Sequence, residues 1–240
     1  MEVEDAAGTD VSLDLKVRRP PALSDIAYRE IERMILAGEI GTGVRLNDSR
    51  LARKFGISRG PVREAIGRLV SAGLVQVVKN RGAYVRVIRL EDALEIYEVR
   101  AGIERVGARA AAELKNSSLI NRLGQQVDQM DQLKEEGDED GYYKVNLAFH
   151  RNIYSASGNH RLIEMMSRLE GELQLFRHVS LVNAGMQQSN VGHRDIFSAI
   201  KNGESEQAAD MMECHVRRAK QRLIRLADSL STIRKKHMNT

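Results

Sequence analysis

The 240-residue chain holds 37 Lys and Arg against 33 Asp and Glu, and 42% of it is apolar while only 4% is aromatic, with no Trp, three Pro and one Cys. That length suits one large domain or two small ones, and scarce aromatics beside abundant Ala, Leu, Arg, Glu and Met favour helices over a sheet-rich sandwich. A lone Cys214 excludes a disulfide framework and a Cys-rich zinc module, no apolar run of about 18 residues is present, and the acidic start is unlike a secretory signal, so a cytoplasmic protein with no membrane partner is expected.

The net charge of +4 is unevenly spread. Residues 1–15 carry five acids and no base; residues 16–89 carry 16 Lys and Arg against six acids, a surplus of +10; residues 90–240 balance at −1, with 21 bases and 22 acids. A basic module joined to a near-neutral one points to a polyanion partner for the first. A polar tail over 1–22 closes on Pro20-Pro21, and the folded module is expected over 23–88. Ile26, Ile31, Met34 and Ile35 mark a helix from Ser24 or Asp25 to Ala37-Gly38. Asp48 or Ser49 is expected to cap a second helix carrying Leu51, Ala52 and Phe55, and Ser58 a third carrying Val62, Ala65, Ile66 and Leu69, with Gly56 and Gly73 as stops. The β-rich runs 74–78 and 83–87 then flank a polar tip, Lys79-Asn80-Arg81-Gly82. Three helices and a hairpin make a winged helix-turn-helix.

Beyond Leu90 there is no proline, and the periodicity becomes that of long helices. Ile96, Val99, Ile103, Val106 and Ala110 define one face of a helix over 91–114. Further stripes cover about 120–133, 142–154, 162–182, 191–200 and 208–226, broken at 116–118, 136–138, 158–159, 183–185 and 202–203. The expected fold is mainly α: the winged helix-turn-helix with its small β-hairpin wing, then an antiparallel bundle of about six helices over 91–230, and a basic tail over 231–240.

In a helix-turn-helix a small residue lets the second helix approach, a glycine makes the turn and an apolar residue anchors the reading helix. Ala52, Gly56 and Val62 have that spacing, and Arg59, Gly60 and Arg63 then occupy the first turns of the reading helix, where base edges are reached. Arginine is the side chain shaped for bidentate contact with guanine O6 and N7. The block Ser58-Arg59-Gly60-Pro61-Val62-Arg63-Glu64-Ala65-Ile66, with Gly73-Leu74-Val75 and Asn80 to Val85, resembles the GntR family of bacterial transcription regulators over residues 24–88. The resemblance implies that Ser58, Arg59, Gly60 and Arg63 contact operator DNA and that Lys79, Asn80, Arg81 and Gly82 carry the wing to the minor groove or its backbone. Gly60 stands where the family has a small hydroxyl residue. Glu64 and Arg68 have the spacing of a surface ion pair.

Three of the six histidines, His150, His193 and His215, fall on the apolar faces of separate bundle helices. Facing helices build metal sites in this way, and Asn146 lies one turn before His150 on the same face. Cys214, adjacent to His215, points about 100° away and is expected to pack rather than ligate. Residues 91–227 resemble the FCD effector domain of the FadR branch of GntR regulators, on Arg100 and Glu104, Asn146 to His150, Gly158-Asn159, His193 and Ala208 to His215. The resemblance implies a divalent ion, zinc, nickel or manganese, held by Asn146, His150, His193 and His215, with Asn146 standing where an aspartate is usual. Three imidazoles and one amide favour Zn²⁺ or Ni²⁺ over harder ions; the alternative is an empty polar pocket. It further implies a small carboxylate or similar oxyanion as effector. Arg100 either faces it as counter-charge or pairs with Glu104 on the surface, and Tyr97, Tyr143 and Arg151 are further candidates to line the pocket.

The reading is a regulator, a repressor by expectation and not an enzyme, acting as a homodimer on a palindromic double-stranded operator and responding to that oxyanion. A helical-bundle metalloenzyme, hydrolase or oxygenase, and a ligand-independent DNA binder are the alternatives. The first lacks the Glu-x-x-His pairs an oxygenase wants, and Asn146 stands where a hydrolase wants a carboxylate base.

Overall fold

The computed structural model of the chain describes residues 21–180 and 190–238, without the side chains of 177–180 and 229–238. The acidic tail through residue 20, the break at 183–185 and the side chains of the basic end lie outside these residues. The head comprises α1 (Leu23–Leu36), β1 (Arg45–Leu46), α2 (Asp48–Phe55), α3 (Arg59–Ser71), β2 (Val75–Val78) and β3 (Gly82–Val85). The bundle comprises α4 (Leu90–Leu114), α5 (Ser117–Glu136), α6 (Glu139–Ser155), α7 (His160–Ser180), α8 (Asn190–Asn202) and α9 (Ser205–Met238). Among the described residues no helix is long and apolar enough to cross a membrane.

The expected winged helix-turn-helix is present, with three local differences. Asn47, not Asp48 or Ser49, caps α2: its side chain accepts from the Arg50 amide, which leaves Asp48 as the first helical residue. Ser58 occupies the cap position of α3 without a side-chain cap bond. The wing is a three-stranded antiparallel sheet in the order β1-β3-β2, because the two-residue β1, too short to show alternation, pairs Arg45 with Tyr84 and Leu46 with Ala83. Ala52 and Val62 are buried, and Gly56 adopts φ 66° at the turn, a left-handed conformation that favours glycine. Arg68 does not pair with Glu64; it bonds Asp25 at 2.6 Å and stacks over the Tyr28 ring, tying α3 to α1.

In the bundle, α4 lies against α9 along their lengths and also contacts α6, α7 and α8. Its buried face is Ala93, Ile96, Arg100, Ala101, Glu104, Gly107, Ala108, Ala111 and Ala112. The stripe read from the sequence is therefore rotated: Ile96 is inside, but Val99 and Val106 are exposed. Close helix approach selects small residues for the inner face, so hydrophobicity alone misplaces it.

Head and bundle share one apolar cluster, in which Leu69, Leu74 and Val85 meet Ile96, Leu173, Phe176 and Leu223. The contact is close. A Cβ on Gly171 of α7 would lie 2.0 Å from the Ala72 carbonyl oxygen after α3, so only glycine fits there. Beside it, Arg86 donates to Glu172 at 2.6 Å.

Candidate functional site

At the tip of the head, α3 presents Arg59 and Arg63 to solvent one helical turn apart, and nothing crowds Gly60. Both arginines bond Asp48. The wing tip is the three-residue loop Lys79-Asn80-Arg81 between the paired Val78 and Gly82, with Asn80 at φ 62°. Arg45 of β1 packs over Gly82 and adds a cation to the tip. The sequence marks Asp48 only as a helix cap and does not mark Arg45, because the partners of both lie in other elements.

In the bundle, His150 from α6, His193 from α8 and His215 from α9 are all buried, and one ring nitrogen from each lies within 4.8 Å of the others. The rings are aimed from behind. His150 Nδ1 donates to Glu104 Oε2 at 2.5 Å, leaving Nε2 for the cluster. Asn190 Oδ1 sits 3.3 Å from His193 Nδ1, and Asn190 is itself held by Asp131. With Nδ1 donating to that amide, His193 Nε2 is a lone-pair acceptor, buried and without a hydrogen-bond partner among the described residues. Gly192 makes room for His215, since a Cβ there would lie 2.7 Å from His215 Nδ1. Burial first, then the neighbouring imidazoles, holds the pKa of His193 and His215 well below the ordinary histidine value. Burial that keeps His193 and His215 unprotonated also suits them to a divalent ion, which binds the neutral ring.

Arg100 is buried rather than on the surface, and its guanidinium is taken by Glu104 at 2.5 to 2.7 Å. Burial works against Glu104 ionisation, yet Arg100 and His150 hold its pKa down to about 2. One carboxylate thus neutralises the arginine and orients the histidine. Of the other sequence candidates, Tyr97 lies under Arg100, half-buried between the two apolar clusters. Arg151 turns outward to Glu170 of α7 at 2.7 Å. Tyr143 is half-buried, whereas its neighbour Tyr142 is fully buried, with a hydroxyl that has no hydrogen-bond partner among the described residues. Asn146 is half-buried one turn before His150. Cys214 is exposed rather than packed, because the buried His215 takes the inner face of α9.

A further residue emerges only in three dimensions. Arg222 of α9 is half-buried, and its charge acts on His193, His215 and Tyr142. It forms no ion pair among the described residues; burial, reinforced by Arg225 and Arg218, lowers its pKa, and the opposing influences are Tyr97 and Tyr142 rather than a carboxylate.

Residues 23–85 match the family described as bacterial regulatory proteins, gntR family, and residues 95–218 match the FCD domain. The chain belongs to the GntR family. Similar GntR-type relatives include the HTH-type transcriptional regulator YdhC of Bacillus subtilis, 24% identical over 84% of this chain and 91% of that one. The HTH-type transcriptional repressor RspR of Escherichia coli is 26% identical over 79% and 83%. The solved structure of E. coli McbR/YncC superposes with a TM-score of 0.70 at 22% identity, covering 87% of this chain and all of that one, which establishes the shared fold. GntR regulators bind operator DNA and are typically dimeric, and some FCD domains hold a metal ion. The chain is a transcription regulator of that family, and the metalloenzyme alternative falls away.

Proposed function

We propose that this GntR regulator is a repressor that binds a palindromic operator as a homodimer and is switched by a small carboxylate or similar oxyanion at a metal-dependent site in the bundle. The observation that carries the sensing half is the convergence of three buried imidazoles beside an arginine; among the described residues one imidazole Nε2 has no hydrogen-bond partner and the arginine has no acidic partner. His150, His193 and His215 would hold Zn²⁺ or Ni²⁺, with Asn146 as the fourth, weaker donor and Mn²⁺ less suited. A bound ion supplies open coordination positions for a carboxylate. Glu104 and Asn190 keep the two ring nitrogens aimed, Arg222 and the Tyr142 hydroxyl receive the oxyanion's remaining oxygens, and Arg100 keeps Glu104 ionised. The repressor sign accords with two relatives, the E. coli repressor RspR and a probable D-xylose utilization operon transcriptional repressor of Paenarthrobacter nicotinovorans.

The path to the head runs through α7. Arg151, next in sequence to His150, bonds Glu170; the next two residues, Gly171 and Glu172, meet the Ala72 carbonyl and Arg86 of the head. A ligand that prefers one arrangement of α6 would thereby bias the head, and so the spacing of two heads in a dimer. Arg59, Arg63, Ser58 and Gly60 read the operator while Lys79, Asn80, Arg81 and Gly82 hold the wing to it. Two measurements test the reading. Mass spectrometry of the untagged protein should find stoichiometric metal in wild type and little in His193→Ala; none in either removes the metal. A thermal-shift screen of organic acids on the metal-loaded protein should find a stabilising oxyanion whose effect is lost in Arg222→Gln, and an unchanged effect in the variant removes Arg222 from the site.

A further inference from the structure

The two arginines at the reading face are not free rotors. Arg63 Nε donates to Asp48 Oδ2 at 2.6 Å, and Arg59 Nη2 spans both carboxylate oxygens at 3.0 and 3.3 Å. The side chain of Asp48 is 24% exposed against 54% and 63% for the arginines, so the acid is the fixed point and the arginines the moving parts. Its fixity has a cause: it is the first residue of α2, held behind the Asn47 cap, where the positive end of the helix favours a carboxylate. Arg63 and Arg59 hold its pKa down to about 2, so it is ionised throughout the neutral range.

A carboxylate at this place works against DNA binding in general, because it repels phosphates and cancels part of the field of the head. What it offers instead is geometry. Arg63 binds it through Nε, which leaves the Nη1 and Nη2 edge outward, the fork that matches guanine O6 and N7. Arg59 commits only Nη2. Fixing two guanidinium planes before contact removes rotamer freedom that each arginine would otherwise lose on binding.

We propose that Asp48 is a positioning residue that determines specificity, coupling Arg59 and Arg63 into one unit that reads two nearby guanines and lowering affinity for all other DNA. The proposal rests on the reading of these arginines as operator contacts. One helical turn advances about 5.4 Å and a base step about 3.4 Å, so the two guanines are expected one or two steps apart.

The test uses the full chain. Duplexes selected from a random pool by wild type define the bound site, and binding to that site and to a scrambled duplex is then measured at one fixed salt concentration. Asp48→Asn should bind the scrambled duplex about two- to threefold more tightly and the selected site about tenfold more weakly. Asp48→Glu, which keeps the carboxylate, should stay within about threefold of the wild-type specificity ratio, and it carries the test if the Asn variant does not fold. In folded variants, Asp48→Asn weakening both duplexes by the same factor, or Asp48→Glu losing more than about threefold of the wild-type specificity ratio, overturns the proposal. If Asp48→Asn keeps the wild-type ratio while Arg59→Ala and Arg63→Ala lose it, Asp48 has no such role although the arginines do. If the arginine variants also keep the ratio, or wild type selects no site, the underlying reading fails and the proposal with it.

Discussion

Glu104→Gln probes the buried centre of the bundle with almost no change of shape. Glu104 is 1% exposed; its Oε1 takes the Arg100 guanidinium and its Oε2 takes His150 Nδ1. The amide removes the charge and turns one acceptor into a donor, so Arg100 becomes a buried cation without a counter-ion and the His150 N–H meets an N–H₂ group. Breaking one side of a buried pair costs about 3–5 kcal/mol. Imidazole can relieve the second conflict by changing tautomer, which places the expected loss near the lower end, about 3 kcal/mol, or roughly 6–12 °C in melting temperature for a chain of this size. Urea denaturation of the chelated protein at neutral pH measures it. A tautomer change also turns the His150 lone pair away from the cluster, so metal affinity should fall about 10- to 100-fold. Arg100→Met with Glu104→Leu removes both charges and should be less destabilised than Glu104→Gln alone, since no unpaired ion remains buried. A loss below about 1 kcal/mol in Glu104→Gln, or a double variant worse than the single, would refute the reasoning.

Acid should undo the bundle early. His193 and His215 are kept neutral by burial, so their folded pKa values lie below the unfolded value of 6.5 and the unfolded chain binds more protons as the pH falls through that value. Stability of the chelated protein should therefore fall below about pH 6.5, by up to about 1.4 kcal/mol per pH unit for each histidine; chemical denaturation from pH 7.5 to 5 should show that slope, and a flat profile contradicts it. Gly171→Ala should force α7 from the turn after α3, at about 1–3 kcal/mol of overpacking. Hydrogen exchange should then show faster opening at Leu74 and Val75, and unchanged protection would mean that the contact yields without cost. On the operator side, Arg59→Ala and Arg63→Ala should each cost about 1–3 kcal/mol of specific binding.

The reading head was legible in the sequence because its signals are local: Ala52, Gly56 and Val62 sit within one motif, and each lies where its spacing demands. The three histidines were legible because helical periodicity puts each on an apolar face, and all three are buried together. What periodicity cannot register is which of two faces a neighbour covers. Arg100 and Glu104 look the same four residues apart whether solvent or neighbouring helices surround them, and the approach of α6, which brings His150 to Glu104, is not visible in their spacing. Arg222 sits in a helix crowded with basic residues, where nothing in its spacing separates it from Arg218 or Arg225. The same limit hid the joint between head and bundle. Glu170, Gly171 and Glu172 are consecutive, and a helix turns about 100° per residue, so three neighbours in sequence face different partners: Arg151 in the bundle, the Ala72 carbonyl and Arg86 in the head. A connection of that kind has no repeat for a sequence to display. For the regulation proposed above it is the natural place for the switch, since rotating one short stretch of α7 changes its contacts with both sides at once.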